Sequence, residues 1–181
     1  MRAKLLILTF FLFSCSNFSN TNKFSQYYNI DSLLEFQILN LSQSKNINKV
    51  IYWDNIYEEK TLDSKSINWN KELNGFKNLD INQPSNLNAY SILSENNIIE
   101  YKKLIKNEGI ISLKIIFDNS SNITRIFSTE IENNLLFNSF KTYSLYFDSL
   151  GLITKYILED KQKTIFKDTL IYEISGEIGW D

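Results

Sequence analysis

The chain reads as an α+β domain: a twisted antiparallel β meander of six to nine strands, half-barrel or barrel-like, with two N-terminal helices packed on one face. Three observations carry this expectation. Runs of strand length with alternating apolar and polar residues recur from Asn88 to the C-terminus. Turn chemistry separates them at Asn96-Asn97, Asn107-Glu-Gly109, Asp118-Asn-Ser-Ser-Asn122, Asn133-Asn134, Asp148-Ser-Leu-Gly151 and Asp160-Lys-Gln-Lys163. Helical periodicity is confined to two stretches before Asn88.

The first helix is expected at about 31–44. It opens at Ser32-x-x-Glu35, a capping-box spacing, and sets Leu34, Ile38 and Leu41 on one face. Val50-Ile-Tyr-Trp53 and Ile56-Tyr-Glu-Glu-Lys60 flank Asp54-Asn55, two residues that tolerate positive φ and suit a tight hairpin. A second helix is expected at about 68–79, capped by Asn68, with Trp69, Leu73 and Phe76 aligned. In the meander, alternation places Ile111, Leu113, Ile115 and Phe117 on one face. It does the same for Tyr143, Leu145 and Phe147, and for Phe166, Leu170, Tyr172 and Ile174.

The N-terminus carries a different signal. Arg2 and Lys4 precede an apolar run from Leu5 to Phe13 that is too short to cross a bilayer, for which about 20 residues are needed. Next comes Leu12-Phe13-Ser14-Cys15, with the only cysteine of the chain in last place. This segment resembles the lipobox of bacterial lipoproteins. The resemblance implies cleavage before Cys15, a diacylglycerol on its thiol and an acyl group on its new amine, so that several acyl chains hold the protein to the membrane. Residues 1–14 are then a signal peptide, and the polar, turn-rich stretch 15–29 a flexible tether. Residues 30–181 form one domain.

Composition bounds the chemistry. The formal charge is −2, and losing Arg2 and Lys4 makes it more negative, so no basic field is available for nucleic acid. There is no histidine, which removes Ser-His-Asp catalysis and His-ligated zinc. Five glycines and one proline form neither dinucleotide-binding nor P-loop motifs, so nucleotide binding by those routes is excluded. No cofactor, metal site or catalytic residue is expected.

Several residues are candidates for a site. Tyr52, Trp53 and Tyr57, around the Asp54-Asn55 turn, can form a platform for a sugar or a partner, or a cross-strand aromatic pair that braces the hairpin. Glu130-x-Glu132 puts two carboxylates on one strand face. Such a pair can act on a glycosidic bond, although solvated acids near a strand end are the ordinary reading. Glu58 and Glu59 point to opposite faces. Ser42-Gln-Ser-Lys45 has the S-x-x-K spacing without its companion motifs and reads as a helix end. Asn119 and Asn122 begin N-x-[ST] triplets that read as turn. Lys102-Lys103 and Lys161-Gln-Lys163 read as charges that discourage edge pairing, with contact to anionic headgroups as the alternative.

The expected role is that of a lipid-anchored protein of the cell envelope, on the outer membrane, with a non-enzymatic binding, assembly or surface function. Its partners are the membrane, through the N-terminal lipid, and an envelope protein or apolar ligand. One alternative is a carrier of lipid or another apolar ligand, since the expected architecture resembles that of lipoprotein-sorting proteins. Another is a carboxylate-based hydrolase of envelope glycans.

Overall fold

The computed structural model describes residues 25–165 and 168–180. The signal peptide, Cys15 and the first part of the tether lie outside the described residues, as does Phe166. The element order is α1 (Ile30–Leu41), β1 (Asn46–Trp53), β2 (Ile56–Asp63), α2 (Trp69–Glu72), β3 (Tyr90–Glu95), β4 (Ile98–Lys103), β5 (Gly109–Phe117), β6 (Ile123–Asn133), β7 (Phe137–Phe147), β8 (Ile153–Thr164) and β9 (Leu170–Gly179). The nine strands form one antiparallel sheet in the order β2-β1-β9-β8-β7-β6-β5-β4-β3. The meander β3–β9 thus returns to pair with the early hairpin. A barrel is excluded, because β2 and β3 each pair on one side only and the sheet stays open.

Each strand pair follows from its turn. Asp54 takes φ 55° in the β1–β2 turn, and Asn96 and Asn97 take 48° and 62° between β3 and β4, conformations that short polar side chains tolerate. Asp118 and Asp148 accept backbone N–H bonds in the β5–β6 and β7–β8 turns. One expected turn is overturned. Asp160–Lys163 lies inside β8, which pairs with β7 as far as Thr164. Its polar residues mark a polar part of the sheet face.

Helices and 3-10 turns cover one face. α1 starts one turn earlier than the Ser32 box implies, because the Asn29 side chain accepts the Ser32 N–H at 3.0 Å. It buries Ile30, Leu34, Gln37 and Leu41. The expected second helix is only a four-residue turn capped by Asn68, followed by a 3-10 segment at Asn74–Leu79. Asn74, Gly75 and Asn78 are poor helix formers, so the chain tightens to 3-10 while still burying Trp69, Leu73 and Phe76. Among the described residues no helix is long and apolar enough to cross a membrane.

The core lies between this layer and the upper rows of the sheet. Phe76 meets the rings of Tyr143 and Tyr156 edge-on at 5.8 and 5.7 Å. Tyr143, Leu145 and Phe147 face inward as their alternation implies. In β5 the parity differs from expectation. A register shift between Ile110 and Ser112 sends Ile110 inward with Leu113 and Ile115, in place of Ile111. The end of the expected tether is also part of the body: Tyr27 is buried against Tyr90 and Tyr101, and its N–H donates to Asn82 at 2.8 Å.

Candidate functional site

The covered face changes character at one level of the sheet. One register row reads Ile51, Ile174, Leu158, Tyr143, Ser128, Leu113 and Tyr101 across seven strands. Two residues further along each strand, three in β5 because of its register shift, the row reads Trp53, Tyr172, Asp160, Lys141, Glu130 and Ile110. The row beyond that is Leu170, Gln162, Ser139 and Glu132. Alternation continues, so these side chains share the covered face, but their chemistry turns from apolar to polar.

Lys141 is the centre of this floor. Glu130 and Asp160 are its direct cross-strand neighbours, and its Nζ lies 3.0 Å from Glu132 Oε2. Burial pulls the ammonium pKa down, but Glu132, Glu130 and Asp160 outweigh it and hold the group above the usual lysine value. The remaining acceptors are also engaged: Ser139 Oγ donates to Asp160 at 2.6 Å, and the Tyr143 hydroxyl donates to Glu130. Burial, then the bond to Glu130, pushes the Tyr143 phenol pKa up, so that it stays a donor. Tyr90 is pushed up to about 12, chiefly by burial, with Tyr27 and Glu130 adding to it. Among the described residues no group of three or more Asp, Glu, Cys or His side chains is placed to hold a metal ion.

Two clefts open on this floor. One, of about 340 Å³, lies between β5–β6 and the segment 78–90; Asp80, Gln83, Lys103, Glu130 and Glu132 are among its lining residues. The second, of about 300 Å³, is bounded by Trp53, Tyr172, Leu170, Asp160 and Gln162. A second, partly buried polar set lies on the same face: Glu72 lies 2.7 Å from Lys49 Nζ and accepts the Tyr156 hydroxyl.

The sequence candidates divide. Glu130 and Glu132 share one face and line one cleft. The aromatic platform splits across the pleat: Tyr52 and Tyr57 are cross-strand partners on the outer face, whereas Trp53 lies on the opposite face beside Tyr172. Tyr57 donates to Glu59 at 2.7 Å. Glu58 pairs with Lys60. The Ser42 hydroxyl donates to the Leu39 carbonyl, a helix-end role. Trp180 Nε1 donates to Ile153 O at 3.0 Å and fixes the end of β9. From sequence, Lys141 and Ser139 are not singled out, Asp160 reads as the start of a turn and Tyr172 only as one of an aligned strand face. Their signal was an inward parity carried on with polar residues. Comparison with known proteins gives no match to a family model and no significant match to a curated protein or a solved structure.

Proposed function

We propose that this is a lipid-anchored protein of the bacterial cell envelope, held to the outer membrane through Cys15, that binds a hydroxyl- and amine-bearing ligand, of the kind an amino-sugar chain offers, without transforming it. The single observation that carries the binding role is the polar floor around Lys141, whose ionisable groups each have a fixed partner and which opens into clefts. Carboxylates accept from hydroxyl and amine groups, and Trp53 and Tyr172 supply apolar faces on which a sugar ring can stack. Aromatic side chains and the helical layer fill the apolar part of the same face, which favours a polar ligand over a carried lipid. The anchor rests on the residues Leu12–Cys15.

One observation favours a second reading: Glu130 and Glu132 share a cleft, as a glycan hydrolase would require. A single experiment separates the two. The membrane-extracted protein is analysed for intact mass and then titrated with soluble amino-sugar oligosaccharides, following tryptophan fluorescence while mass spectrometry monitors the sugar. We expect acylated chains that begin at Cys15, and saturable binding that Trp53→Ala weakens, with the sugar intact. Hydrolysis abolished by Glu130→Gln would establish the enzyme instead, and absence of any fluorescence change would remove the binding role.

A further inference from the structure

The two ends of the sheet differ in what their turns expose. At the end where β3, β5 and β7 finish, the connections are Asn96-Asn97, 118–122 and 148–152, polar apart from exposed Leu150 and half-buried Leu152. At the other end each connection within the meander carries exposed aliphatic side chains. Leu104 and Ile105 sit between β4 and β5, Leu135 and Leu136 between β6 and β7, and Ile165 follows β8. Ile105 is 71% exposed and Leu135 91%. Trp53, 55% exposed, ends β1 at the same end.

These tips form one row held by their own hydrogen bonds. Ile165 N–H donates to Leu136 O at 3.2 Å, and Asn133 Nδ2 donates to Asn107 O at 2.9 Å, joining the three loops. Asn134 accepts the N–H groups of Leu136 and Phe137 at 2.8 and 2.9 Å, which fixes the turn with Leu135 projecting. Lys103 Nζ closes the first loop on Glu108 O at 2.6 Å. Leu104, Ile105, Leu135 and Leu136 are therefore presented by hydrogen-bonded turns, and with Ile165 they are exposed.

We infer that this end of the sheet is a membrane-docking edge: its aliphatic tips insert into the interfacial layer of a bilayer whose anionic headgroups meet the surrounding lysines. Three observations choose a bilayer as the occupant. The tips project from separate connections, Leu135 being 91% exposed, a shape that suits a fluid surface better than a folded partner. Lys106, Lys161 and Lys163 are exposed near them and outnumber the exposed acids of the same connections, Glu108 and Asp168, while Lys102 is held by Glu100 at 3.1 Å; this is a net basic surround for apolar tips, as in an interfacial segment. The described chain also begins at this end: Gln26 Nε2 donates to Asn88 at 2.8 Å, and the Leu104 N–H donates to the next residue's carbonyl, Ala89 O, at 2.9 Å. Gln26 thus lies beside the first of these tips, and a lipid on Cys15 would tether the body near this end; in this respect the inference rests on the proposed anchor.

The test uses the full chain in phosphatidylethanolamine–phosphatidylglycerol vesicles that contain a spin-labelled lipid quencher. Leu135→Cys, Ile105→Cys and, at the polar end, Ser120→Cys each carry an environment-sensitive fluorophore, and the parent chain sets the background from Cys15. We expect a blue shift and quenching at positions 135 and 105 at least about twofold above that at 120, as for side chains at the headgroup–acyl boundary. In the Ile105→Cys chain, adding Leu135→Asp and Leu136→Asp should bring quenching down to the level at 120. Equal quenching at all three positions overturns the inference. So does shielding of the 135 label that rises with protein concentration without lipid, which would assign the edge to a second copy. Intact mass keeps the premises apart. Acylated chains with unquenched tips sink the docking edge and spare the anchor, whereas unacylated chains with quenched tips do the reverse.

Discussion

Single residues decide whether the polar and apolar parts of the sheet can coexist. Gly176 faces the Tyr156 ring so closely that a Cβ built there would lie 2.5 Å from ring carbons. This bare strand position lets the phenol reach Glu72. Gly176→Ala should cost at least about 1–3 kcal/mol, the scale of overpacking in a close-packed core, read as a lower urea midpoint at unchanged slope. Tyr143 does the corresponding work at the floor. Tyr143→Phe keeps the ring that packs on Phe76 but removes a donor to a carboxylate, so a loss of about 1.5–3 kcal/mol in the same assay is expected. A loss below about 0.5 kcal/mol would mean that water replaces the phenol at Glu130.

At the scale of elements, α1 is joined to the sheet by one side chain as well as by its apolar stripe. Gln37, fully buried, donates to Gly151 O at 2.7 Å and accepts the Ile153 N–H at 2.9 Å, tying the helix to the β7–β8 turn and the start of β8. Gln37→Leu keeps the volume but removes the partner of two backbone groups, the buried Ile153 N–H and the half-buried Gly151 carbonyl. We expect about 1–3 kcal/mol of destabilisation and faster amide exchange at Ile153, the second being a local signature that general loosening of α1 would not single out. Most elements were legible because they rest on local chemistry. The Asp54-Asn55 turn, the Asn68 cap, and the inward parity of Tyr143, Leu145 and Phe147 need only neighbouring residues. Those that were misread depend on partners far away in sequence. Asp160–Lys163 looks like a turn until β7 pairs with it. Ile110 replaces Ile111 inside because β6 meets β5 with a register shift.

For the whole molecule, the buried phenols set the alkaline limit of stability. Tyr90, Tyr143 and Tyr156 are all raised, first by burial, so the folded chain keeps protons that the unfolded chain releases near the ordinary phenol value of 10.0. Their contribution is therefore complete below about pH 10 and is lost as pH rises towards the folded values, about 12 for Tyr90. Lys141, also raised, adds in the same direction. The melting temperature should hold level from neutral pH to about 10 and then fall, and the part of the tyrosinate absorbance that Tyr143→Phe and Tyr156→Phe remove should appear in one step with unfolding. Gradual ionisation of these tyrosines in a still-folded chain would contradict this. At the same scale, the clefts and the apolar tips lie towards one end of the sheet, so a bound ligand and a bilayer would be near neighbours.

What the sequence by itself determined is what short-range chemistry encodes: an antiparallel, turn-punctuated meander, its inward residues, a helix over the first apolar stripe, and the absence of histidine chemistry. The proposed anchor at Cys15 rests on the residues before it alone. Only the tertiary structure decided that the sheet stays open, that Trp53 parts from Tyr52 and Tyr57, and that Glu130, Lys141 and Asp160 fall in one row. The physical reason is that strand pairing joins residues by register, over separations at which nothing in the local sequence records which side chains will become neighbours.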